Sequence, residues 1–171
     1  MGLNVTIHVL ENNEGKELFS FVREFLNDLQ LKIEDVKPYI FFKNVFDELY
    51  FEFRGKRIGI AEYNSKVIFF DQNSFILRKA AIKQFTKIHS CLFFTYSRGD
   101  TAGVDYYDFY QNGENIRSYS NNEGDIREKG KRFDFEIEYD SFDSILEHLV
   151  LPFYKFDQLE WSILDLAKIT Q

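Results

Sequence analysis

The chain's 171 residues suit one domain that can bury a full core without disulfides, and a hydrophobic content of 44% excludes a disordered chain. Twenty-eight acidic against 21 basic residues leave a net charge of −7, which disfavours generic nucleic-acid binding. No apolar run approaches the roughly 18 residues of a membrane span, and the single cysteine, Cys91, allows no internal disulfide and suits a reducing compartment.

In chain order, Asn4–Leu10 reads as a strand with Val5, Ile7 and Val9 on one face. Asn12 to Gly15 is a loop. Leu18, Phe21, Val22, Phe25, Leu26 and Leu29 then recur at helical spacing. Residues 32–38 read as an untyped connector. Leu49–Arg54, Arg57–Tyr63 and Lys66–Asp71 form β-rich runs separated by Gly55-Lys56 and Asn64-Ser65, gaps of hairpin length. Ser74 caps an expected helix over 75–89 with the stripe Leu77, Ala81, Phe85 and Ile88 inward, while Lys79, Lys83 and Lys87 make a basic stripe.

Cys91–Ser97 returns to strand. Val104–Gln111 and Asn115–Ser120 flank Asn112-Gly113, a strong type I′ turn signal. Residues 121–131 read as a polar, mobile loop. Phe133–Tyr139 alternates without a break, so a strand there would turn Phe133, Phe135 and Ile137 inward and Asp134, Glu136 and Glu138 outward as an acidic strip. Ser141 caps a helix to Leu149, stopped by Pro152. Asp157-Gln158-Leu159-Glu160 resembles a capping box for a last helix ending near Ile169. The expected fold class is α+β: a single domain with a mainly antiparallel sheet covered by helices on one face, plus C-terminal helices.

Residues that carry chemistry are sparse. His8 sits in a strand, His89 and His148 close expected helices, and no two histidines stand at ligand spacing. Cys91 opens an apolar run and reads as core. Asp100, Asp105 and Asp108 are close in sequence, but on a strand Asp105 and Asp108 point to opposite faces. No nucleophile elbow, phosphate-binding loop or dinucleotide fingerprint occurs, so no catalytic residue, metal or cofactor is expected. In Val104–Tyr110, Tyr106 and Tyr110 share one face with Asp108, and Tyr107 and Phe109 share the other with Asp105.

Tyr96 to Asp100, the stretch through Tyr119, and the acidic and helical residues beyond resemble in type the small immunity proteins of bacterial polymorphic-toxin systems. These are acidic, aromatic-rich, single-domain cytosolic proteins. The resemblance implies tight binding to one toxin domain and its neutralisation. The expected function is therefore protein binding in the cytoplasm, to a protein partner such as a basic toxin domain, with neither nucleic acid nor membrane. Asp134, Glu136, Glu138, Tyr106 and Tyr110 are the candidate partner-binding residues. A small-molecule-binding or regulatory domain with an aromatic cleft is the alternative, and an enzyme using paired carboxylates a second.

Overall fold

The computed structural model describes residues 4–40, 56–72, 75–76, 78–99, 103–138 and 142–169. Nine strands among these form one sheet: β1 (Asn4–Glu11), β2 (Leu31–Ile40), β3 (Arg57–Tyr63), β4 (Lys66–Phe70), β5 (Leu92–Gly99), β6 (Val104–Gln111), β7 (Glu114–Asn122), β8 (Asp125–Lys129) and β9 (Trp161–Lys168). Their order is β2-β9-β3-β4-β1-β5-β6-β7-β8, and each neighbouring pair is antiparallel. The helices are α1 (Leu18–Asp28), α2 (Lys79–Ile88), α3 (Asp134–Glu138) and α4 (Phe142–Leu149), with a 3₁₀ turn over Phe153–Gln158. The fold is single-domain α+β and mostly sheet, as the sequence implied.

Of the three hairpin turns legible in the sequence, Asn64-Ser65 and Asn112-Gly113 form as expected, and Gly55 lies outside the described residues. Asn64 and Ser65 adopt φ of 48° and 59°, and Asn112 and Gly113 adopt 51° and 85°, the positive values a type I′ turn requires. The strand alternation of β1, β5 and β6 sends even and odd residues to different layers. On one side α1 and α2 bury Phe21, Phe25, Leu26, Ile82 and Phe85 against Leu10, Phe69, Phe93 and Tyr110. The Phe25 ring lies 5.0 Å from Phe85 and 5.6 Å from both Phe69 and Phe93. On the other side Ile145, Leu146, Phe156 and Leu159 cover Ile7, Phe70, Phe94, Phe109 and Trp161. Helices therefore lie on both faces, where the sequence reading placed them on one.

Further expectations are corrected. The expected strand over 133–139 is not formed by its described residues, 133–138: Asp134–Glu138 is a short helix. The physical reason is a capping arrangement in which the backbone N–H of Phe133 donates to the Glu136 carboxylate at 3.2 Å while Glu136 N–H donates to Phe133 O at 3.0 Å. The last helix is instead the 3₁₀ turn and β9. β9 lies between β2 and β3 and is buried on both faces, so its apolar residues do not alternate and mimic helical spacing.

The untyped connector is β2, whose alternation is broken by register shifts between Ile33 and Asp35 and between Lys37 and Ile40. The supposed mobile loop contains β8, joined to β7 by a two-residue turn at Glu123 and Gly124. Within α2, Ile88 is exposed; Ile82, Phe85 and Thr86 face the core. Leu49–Arg54, Ser74, Leu77, Asp100 and Ser141 lie outside the described residues.

Gly130 ends the β8 ribbon at φ +82°, and a Cβ there would lie 2.0 Å from the Ile116 carbonyl oxygen. Gly124, at φ +94°, has open space around it. Gly124→Ala should lose about 1–2 kcal/mol of unfolding free energy from backbone strain alone. Gly130→Ala should lose more, because β7 must move as well. Urea midpoints of the two variants check the difference.

Candidate functional site

The far end of the sheet, β5 to β8, presents its side chains in rows fixed by register. One row runs His8, Thr95, Asp108, Ser118, Lys129 across β1, β5, β6, β7 and β8. The next runs Thr6, Ser97, Tyr106, Ser120, Arg127. Both rows face the α1/α2 side. Under the helices the first row is core: His8 Nδ1 lies 2.9 Å from Thr95 Oγ1 and Nε2 lies 3.3 Å from Asp71 Oδ2, with all three residues buried. Burial works to raise the Asp71 carboxyl, but His8 and the backbone N–H groups of Ile76 and Phe75 hold it below its ordinary value.

Beyond α2 the rows emerge into a groove of about 180 Å³ lined by Lys79, Tyr106, Asp108, Ser118, Ser120, Arg127 and Lys129, among others. Asp108 is its anchor and is buried. Its carboxylate accepts from the Tyr106 hydroxyl, from Asn115 Nδ2 at 3.1 Å and from the Tyr110 hydroxyl at 3.5 Å. Lys79 Nζ, largely exposed at the first turn of α2, lies 3.7 Å away. Burial pushes the Asp108 carboxyl above its usual value against the opposing pull of Asn115, Lys79 and Tyr110. Burial and the Asp108 charge push Tyr110 up to about 12. The carboxylate thus fixes Tyr106 as a rigid platform. The groove walls carry Lys79, Lys129 and Arg127, the last paired with Asp125, and Glu128 also lines the groove.

The opposite face of the same strands carries the buried guanidinium of Arg117, whose side chain is 1% exposed. It donates from Nη2 to Glu136 Oε2 at 2.7 Å, to Glu128 Oε2 at 3.1 Å and to the Tyr107 hydroxyl at 3.1 Å, and from Nε to both Glu136 oxygens. Tyr107 in turn donates to Glu136 Oε2 at 2.7 Å, and the Arg117 guanidinium lies 5.6 Å from the Tyr107 ring centroid.

The five candidate partner-binding residues therefore do not share one surface. Tyr106 lines the groove, and Tyr110 is buried beneath it. Asp134 is exposed on the opposite side. Glu136, expected outward, is buried against Arg117 with 5% of its side chain exposed. Glu138 closes α3, and its side chain lies outside the described residues. Arg117 and Asp108 escaped the sequence reading as organising residues. The signal for Arg117 was its place inside a strand that pairs with the aromatic one. Asp108 stood in plain view between two tyrosines on one face.

Cys91 is buried, and burial pushes its thiol up to about 12, which keeps it from acting as a thiolate near neutral pH. His89 bridges Glu14 at 2.9 Å and Glu24 at 3.4 Å beside α1, and His148 stacks on Phe135 at 4.6 Å. Among the described residues no three His, Cys, Asp or Glu side chains gather as metal ligands, and no helix is long and apolar enough to cross a membrane. Comparison of the chain with protein-family models, curated proteins and solved structures gave no match in any of the three.

Burial works to raise the Glu136 carboxyl, but Arg117, Tyr107 and the Phe133 N–H hold it below its ordinary 4.5. A carboxyl depressed in the folded state contributes stability that is complete above its unfolded value and disappears as pH falls through the lower folded one. The wild-type urea midpoint should therefore drop below about pH 4.5, and Glu136→Gln should flatten that acid limb. Glu136→Ala, which strands the buried guanidinium, should cost about 3–5 kcal/mol at neutral pH. Recovery of stability on adding Arg117→Met to Glu136→Leu, read by the same denaturation, checks that the loss comes from the unpaired charge.

Proposed function

We propose that the chain is a protein-binding module whose partner lies across the open β6–β8 face. In the form the sequence resemblance implies, it is an immunity-like protein that holds and neutralises one toxin domain. The observation that carries this reading is the groove itself. A sheet face leaves the cover of α2 with a hydrogen-bonded tyrosine, the hydroxyls of Ser118 and Ser120 and three cationic side chains. Aromatic platforms beside adaptable polar groups suit recognition of another protein. A volume of about 180 Å³ falls below the roughly 300–1,000 Å³ of pockets that enclose a small ligand, which favours a surface contact.

The sign of the charge differs from the one the sequence suggested. An acidic strip over 133–140 argued for a basic partner, but Glu136 is spent on Arg117 inside the fold. Lys79, Arg127 and Lys129 line the groove, with the exposed Lys83 and Lys87 along the same helix, so the partner segment presents acidic side chains. Glu17, Glu62 and Glu160 line a separate groove with Lys16, Leu18 and Phe19.

Immobilised wild-type chain should retain one protein from a lysate of its native host, and kinetics with that protein test the surface. Arg127→Glu with Lys129→Glu should slow association, and raising salt should slow the wild type by the same route. Tyr106→Ala should speed dissociation instead. Glu62→Lys with Glu160→Lys should leave both rates near wild type. Loss of binding in that last variant, with the groove variants unaffected, would overturn the assignment, as would a wild type that retains no partner.

A further inference from the structure

The two edges of the sheet are built differently. β2, at one edge, carries two register shifts and Pro38, devices that make an edge a poor template for another strand. β8, at the other, pairs with β7 in unbroken register from Asp125 to Lys129 and contains no proline. All five of its residues are exposed, and Ile126 is one of the few large apolar side chains left in solvent, at 55%. An open, regular edge of this kind is a strand-pairing surface unless its side chains forbid it.

Hairpin geometry fixes which backbone groups are free. The turn at Glu123 and Gly124, with φ of 52° and 94°, closes with Asn122 and Asp125 as its hydrogen-bonded pair. Bonded and non-bonded pairs alternate along an antiparallel ladder. Asp125, Arg127 and Lys129 therefore turn their backbone groups to β7, and Ile126 and Glu128 turn theirs to the open edge. The side chains of Asp125 and Arg127 stand on the groove side and that of Ile126 on the other.

We propose that β8 pairs antiparallel with β8 of a second copy of this chain, about a two-fold axis at Ile126. In that register Ile126 faces Ile126 of the second copy, and their free N–H and C=O groups bond reciprocally. Asp125 faces Arg127 of the second copy on both sides of the axis, in non-bonded positions where opposite side chains come closest. Gly124 faces Glu128 and offers no side chain to clash with it.

The alternative register about Arg127 places two guanidinium groups opposite each other and is disfavoured. Within one chain Arg127 Nε and Nη2 both bind Asp125 Oδ2, at 3.1 and 2.7 Å, which leaves Arg127 Nη1 and Asp125 Oδ1 for the second copy. Charges that repel a foreign strand thus match their own two-fold image, the self-complementarity an isologous contact requires. The inference does not rest on the groove or its partner. Pairing would set two grooves side by side across the axis.

Sedimentation equilibrium of the full chain, without any partner, tests it. The wild type should pass from monomer to dimer between about 1 µM and about 1 mM. Asp125→Arg, which sets like charges opposite each other, should raise the dimer Kd at least about tenfold, and adding Arg127→Asp should restore it. Ile126→Pro removes an N–H that β7 does not use, so it should abolish the dimer while the circular dichroism spectrum and urea midpoint stay close to wild type. A wild type that remains monomeric throughout overturns the proposal. So does a dimer that persists in Ile126→Pro, or a double charge swap that fails to restore association while the monomer stays folded.

Discussion

The buried guanidinium of Arg117 constrains everything around it. A charge with 1% of its side chain exposed requires an anion and several acceptors, because leaving it unpaired costs several kcal/mol. Glu136 supplies the anion, and reaching Arg117 demands that the chain after Gly130 turn back over the sheet and coil at Asp134–Glu138. That return packs Phe133 and Phe135 beside Phe109 and His148 and so completes the second core. Glu128 of β8 shares the same guanidinium, which ties the outermost strand to the interior. One side chain thus links β7, β8 and α3.

The two faces of β6 solve the same difficulty in opposite ways. Glu136 meets a full cation in its pocket and is held ionised; Asp108 meets tyrosine hydroxyls, an amide and a lysine that is mostly in water. Burial outweighs those partners at Asp108 and is outweighed at Glu136. The first pairing stabilises a layer of the fold. The second leaves a polar cluster at the boundary between core and solvent, where α2 stops covering the sheet.

What the sequence discloses depends on how local the cause is. The turns at Asn64-Ser65 and Asn112-Gly113 are set by the backbone freedom of two residues, and both were legible. So were β1 and β6, from their alternation, and α1, from the helical spacing of its apolar stripe. Trp161–Lys168 was misread because a strand buried on both sides shows no alternation, and its ladder partners, β2 and β3, are distant in sequence. Residues 133–139 were misread for the opposite reason. Their alternation is real, but it was outweighed by a contact with Arg117 that no local pattern encodes. Tyr106, Asp108 and Tyr110 share one strand face, as their spacing implied, whereas Glu136 lies on a helix and is buried against Arg117.

The sheet order also sets the sequence in which the fold can be assembled. β1 lies between β4 and β5, so its first partner appears only when residues 66–70 have been made. β2 pairs only with β9 among the described strands: Leu31 waits for Lys168. β3 has one side open until the same strand arrives. Among the described strands β2 therefore has no partner until β9 is made, and it holds Pro38 and the charges Lys32, Glu34, Asp35 and Lys37. Such features keep an edge from pairing with neighbours. The irregularities of β2 thus guard the nascent chain as much as the finished sheet, over the interval when long-range pairing leaves it most open to aggregation.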